Sequence, residues 1–131
     1  MGLNLSLMYF AALLLTPVLL AAAPAKLDFN RDIRPILSDR CFSCHGPDAQ
    51  ARKAGLRLDN KEGAFSRKGV IVAGDPAASR LLKRVNGGGM PPTGPALTRP
   101  QIELMEQWVA SGANWDVHWS YVPPTKPALP H

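Results

Sequence analysis

The stretch Cys41-Phe42-Ser43-Cys44-His45 places the chain's two cysteines three positions apart, with an imidazole directly after the second. Two thiols and a ring nitrogen at this spacing can bind a metal, exchange electrons as a dithiol, staple a loop or hold a porphyrin. A structural zinc ion asks for four Cys or His ligands. Beyond these three residues the sequence offers only His118 and His131, and the adjacent Cys44 and His45 are poorly disposed to share one tetrahedral ion. A thioredoxin-like dithiol belongs in a βαβ setting, whereas the residues around Cys41 follow a helical pattern. A lone disulfide accounts for the thiols and leaves His45 without a task. Covalent haem attachment uses all three residues. C-x-x-C-H is the attachment signature of c-type haem: the thiols add across two vinyl groups, and the histidine reaches the iron from the proximal side. One haem c is therefore expected, with Cys41 and Cys44 as thioether donors and His45 as an iron ligand.

Such an iron needs a sixth ligand or keeps an open position. Met1 and Met8 fall in the N-terminal apolar segment, and Met105 lies in QIELMEQWV, where a helix would bury it. Met90 remains, in the loop GGGMPPTG. The three glycines before it let the backbone approach a flat ring, and Pro91 and Pro92 stiffen the chain after it. A His/Met iron suits electron transfer, because thioether ligation raises the potential. The rival ligand is His118, which would make the centre bis-histidine. These ligand sets allow two functions of different class. A carrier keeps Met90 bound in both redox states, whereas a haem module that senses redox state or a gas releases it. Peroxidase-like catalysis needs distal acid–base groups, and near Met90 the sequence offers only Thr93, so no enzymatic activity is expected.

These residues need elements to hold them. Asp28 or Asn30 can cap a first helix whose apolar residues Phe29, Ile33, Ile36 and Leu37 recur at helical spacing toward Cys41. Pro35 is tolerated only in a first turn, which puts the regular helix near Arg34 after an extended lead-in. AGLRLD reads as a short extended piece, and Asp59 with Glu62 reads as the start of a helix over residues 60–66. In GDPAASRLLKRV, Asp75 is a cap, Pro76 sits in the first turn, and Leu81, Leu82 and Val85 share a face that ends near Gly87. Thr98 with Gln101 forms a capping box for a helix carrying Ile102, Leu104, Met105, Trp108 and Val109, stopped by Gly112. The expectation is an all-α fold of three to four helices with long loops.

The front of the chain sets the compartment. Residues 1–25 carry no charge, hold an apolar run from Leu7 to Leu20, and end in Ala23-Pro24-Ala25. This reads as a signal peptide, so the domain is expected to be periplasmic or secreted, with membrane contact only if the segment stays uncleaved. The rest is short enough for one domain with a modest core. Formal net charge is +5, and the nine Lys or Arg against three acids between Arg52 and Arg84 supply all of the excess. Without aromatic interleaving in an exported chain, nucleic acid is a poor partner for that stretch. A redox partner protein with an acidic docking face fits it better, and the protein is expected to be a monomer.

DFNRDIRPILSDRCFSCHGPDAQARKAGLRLDNKEGAF, VAGDPAASRLLKRV and MPPTGPALTRPQIELMEQWVASGANW, in this order, resemble the planctomycete-type cytochrome c domain, a relative of the class I cytochromes c. The resemblance implies a class I-like fold wrapped around one covalently bound haem over residues 26–119. It assigns Cys41 and Cys44 to attachment, His45 to the proximal side and Met90 to the distal side. Residues 120–131 resemble the start of a Pro-rich linker that precedes further domains in larger members, and are expected to be extended.

Overall fold

The computed structural model describes residues 26–124, and these form helices and loops with no strand among them. The N-terminal apolar segment and residues 125–131 lie outside the described residues. Five α-helices come in the order α1 (Arg34–Arg40), α2 (Phe42–His45), α3 (Lys61–Phe65), α4 (Arg80–Asn86) and α5 (Arg99–Ala110). A π-helical turn, Phe29–Ile33, leads into α1, and a 3-10 turn, Trp119–Tyr121, comes last. Among the described residues no helix is long and apolar enough to cross a membrane.

Asp28 caps the first element by accepting the Arg31 N–H at 2.8 Å, and α1 starts at Arg34 as the position of Pro35 requires. The lead-in is helical, not extended. Its wide turn sends the Arg34 N–H back to the Phe29 carbonyl, which accommodates a proline ring that would press on a regular preceding turn. At α3 the cap is Asn60 in place of Asp59: the Asn60 side chain accepts the Gly63 N–H at 2.7 Å, while Asp59 pairs with Arg57.

Helix α4 begins later than Asp75 and Pro76 suggest. Asp75 does accept the Ala78 N–H at 2.8 Å, but Ser79, fully buried, takes the Val72 N–H at 2.9 Å and donates to the Asp75 carbonyl at 2.9 Å. A serine hydroxyl that occupies backbone groups in this way holds residues 75–79 as turns. Helix α5 keeps closely to its pattern. Thr98 and Gln101 form the reciprocal capping box, and Ile102, Met105, Trp108 and Val109 are buried.

Helix α5 packs across the Phe29–Ile33 turn and α4. Phe29, Trp108 and Trp115 form a triangle of rings, with Phe29 centroid distances of 5.7 and 4.4 Å to the two indoles and 5.9 Å between them, and Arg34 stands 5.2 Å over the Phe29 ring. The Trp108 indole donates to the Asn114 carbonyl at 2.8 Å. Full burial of each large apolar side chain contributes ~1.5–3 kcal/mol. Helices as short as these are unstable alone, so this shared core, and not propensity, holds them.

Candidate functional site

Cys41 is where α1 ends and α2 begins. Its carbonyl accepts the Cys44 N–H at 3.1 Å and the His45 N–H at 2.7 Å. One helical turn therefore carries Cys41, Cys44 and His45, and residues three and four apart on a turn share a face. All three line a single cavity of about 450 Å³. Phe42 points away into a second cavity beside Asn30 and Arg34.

The turn must stop at once, and Gly46 permits this. It is buried, and a Cβ there would sit 2.2 Å from the Phe42 carbonyl oxygen. The chain then folds back onto the motif. The Lys53 N–H donates to the Cys44 carbonyl at 2.7 Å and the Leu58 N–H to the His45 carbonyl at 2.7 Å. Arg52 adds bonds to the Gly46 and Pro47 carbonyls at 3.0 and 2.7 Å. The backbone carbonyls at the end of the turn are thereby satisfied, as buried polar groups require.

Met90 reaches the same cavity from the opposite part of the sequence. The Gly89 and Met90 N–H groups both donate to the Arg84 carbonyl, at 2.9 and 3.1 Å. The glycines before Met90 serve this fold-back: Gly88 has φ +69°, and none of Gly87, Gly88 and Gly89 lines the cavity. Met105 is wholly buried in the core. His118 lines the second cavity, where its Nδ1 lies 2.7 Å from Ser120 Oγ. His131, Met1 and Met8 lie outside the described residues.

The cavity wall is apolar, built from Leu58, Val70, Leu81, Val85 and Leu97. Its rim carries Arg40, Lys53, Arg67, Arg80 and Arg84 against the single acid Asp39. Sequence reasoning passed over Leu97 and Arg40. An apolar residue directly before the Thr98 cap and a cation directly before the first cysteine were the signals that could have found them.

Burial and the neighbouring Cys44 push the Cys41 thiol up to about 11. It stays protonated at neutral pH, the reverse of the depressed pKa that a redox-active dithiol needs. The two cysteines are free. His45 Nδ1 is buried without a hydrogen-bond partner. Two thiols and a ring nitrogen on one face, a thioether on the same cavity, apolar walls and a cationic rim suit a flat apolar macrocycle with two carboxylates. The residues present fit a c-type haem.

No curated protein and no solved structure matches the chain. A family model does match, and its span takes in both cysteines, His45 and Met90: residues 41–94 match the planctomycete cytochrome C family.

Proposed function

We propose that this chain is a single-haem, class I-like cytochrome c domain that carries single electrons outside the cytoplasm. The observation that supports it most is the convergence of Cys41, Cys44, His45 and Met90 on one apolar cavity, within a span that matches a cytochrome family. Cys41 and Cys44 would hold the haem covalently, and His45 and Met90 would be the ligands of its iron. When bound, the group supplies the Fe(II)/Fe(III) couple.

The chain's own residues do the rest. The His45 carbonyl, fixed by Leu58, sets the orientation of the helical turn, and Leu58, Val70, Leu81, Val85 and Leu97 exclude water from the ring. The cationic rim attracts an acidic redox partner to the exposed edge. The protein acts as a monomeric carrier and not as a catalyst, and the apolar, small-residue-terminated start of the sequence suits export to the periplasm or beyond.

Mass spectrometry of protein matured with c-haem machinery tests this reading. The expected result is one haem per chain that survives denaturation, reduced to single or no attachment by Cys44→Ala. A chain that acquires no covalent haem would overturn it.

A further inference from the structure

We propose that Arg40 is the latch that keeps Met90 in place, an inference that rests on the haem reading above. Residues 91–97 come directly after Met90 and supply much of the cavity lining, through Pro91, Pro92, Thr93, Gly94, Pro95 and Leu97. Three prolines in this run carry no N–H. Among the described residues, the one hydrogen bond made by residues 91–97 comes from Arg40 Nη1 to the Pro95 carbonyl, at 3.3 Å. The rest of the anchorage is the bond of the Met90 N–H to Arg84 and the burial of Leu97.

Arg40 is placed for this task. It is the last residue of α1, directly before Cys41, and its side chain is 22% exposed. Its Nε stands 2.8 Å from Asp39 Oδ2 but makes no hydrogen bond. Asp39 thus attracts the guanidinium without sharing a directed bond with Nε, and Nη1 is the atom that reaches the loop. One side chain joins the turn that carries the first thioether position to the loop that carries the distal sulfur. The donor is a charged guanidinium, while the 3.3 Å length and the exposure of the bond make it one of the weaker bonds of its kind. Its loss lets the loop leave the cavity while the attachment turn, held by Leu58 and Lys53, stays where it is.

The test compares matured wild-type holoprotein with Arg40→Gln, Arg40→Lys and, as a control of equal charge loss, Arg99→Gln on the exposed face of α5. Two signals are read: the weak far-red band of oxidised His/Met iron, and CO binding to the reduced protein. Arg40→Gln is expected to weaken the band and to raise the CO association rate about two- to threefold, the low end of the effect of losing one hydrogen bond. Arg40→Lys should fall between, and Arg99→Gln should match wild type. If Arg40→Gln does not accumulate, Arg40→Met, which fills similar space without a donor, is read the same way. A band present in wild type and unchanged in the Arg40 variants, with the same CO rate, overturns the latch alone. A wild type without the band overturns the role of Met90 and the latch with it.

Discussion

The Leu58 N–H donates to the His45 carbonyl at 2.7 Å, joining the last residue of the Cys41–His45 turn to the apolar wall of the cavity it faces. The loop between them needs no secondary structure of its own, because its closure is specified at both ends. Arg52 binds carbonyls just after His45, and the Arg57–Asp59 pair brackets Leu58.

Gly46→Ala should damage the site more than its small volume suggests. The added Cβ meets the Phe42 carbonyl oxygen at 2.2 Å, and backbone cannot rotate away as a side chain does. Overpacking of this kind costs ~1–3 kcal/mol. Thermal unfolding of matured protein should show that loss, together with a reduced yield of covalent haem.

Met105→Ala and Met105→Leu separate core from ligand. Met105 is 0% exposed inside α5, so truncation should cost ~2–5 kcal/mol and the volume-conserving leucine under ~1.5 kcal/mol. Neither should abolish the far-red band of the oxidised protein that survives. Loss of the band in a well-folded Met105→Leu protein would reassign the distal ligand.

Acid should weaken the loop behind His45. Hydrogen bonds from Arg57 hold the Asp59 carboxyl below the usual carboxylate range. A carboxylate depressed on folding contributes stability that is present above the ordinary aspartate pKa of about 3.9 and is lost as pH falls through the folded value. Asp59→Asn should therefore lower Tm at pH 7. The gap to wild type should close as pH drops below that range.

Charge reversal on the rim should alter electron exchange without altering the spectrum. Arg67 and Arg84 are exposed and border the cavity. Arg67→Glu with Arg84→Glu should slow stopped-flow oxidation by an anionic complex such as ferricyanide several-fold at low salt. Raising ionic strength should erase the difference, since exposed charges are screened within ~10 Å at 0.1 M.

The parts legible in the sequence are those where local chemistry decides alone. Pro35 sets the start of α1, the Thr98–Gln101 box sets the start of α5, and C-x-x-C-H marks one helical turn on the cavity. The parts that were not legible depend on distant partners. Ser79 delays α4 through bonds to Val72 and Asp75, a choice invisible in its helix-friendly neighbours. Asn60 and Asp59 are both good caps, and Arg57 decides between them by claiming the aspartate. The three glycines before Met90 signalled a close approach; Gly87 and Gly89 lie against the Lys83 and Arg84 carbonyls at the end of α4, and none of the three lines the cavity. Trp115 gave no periodic signal, and only the fold brings it against Phe29, Phe65 and Trp108.

The most direct test of a His45/Met90 electron carrier is the optical spectrum of matured protein, oxidised and reduced, with and without CO. Wild type is taken beside Met90→Ala and His118→Ala. The structure sets Met90 on the cavity with His45 and His118 on another, so wild type and His118→Ala should show the weak far-red oxidised band and resist CO. Met90→Ala should lose the band and bind CO. A band that survives Met90→Ala, or a wild type that lacks it and takes up CO readily, would contradict the account.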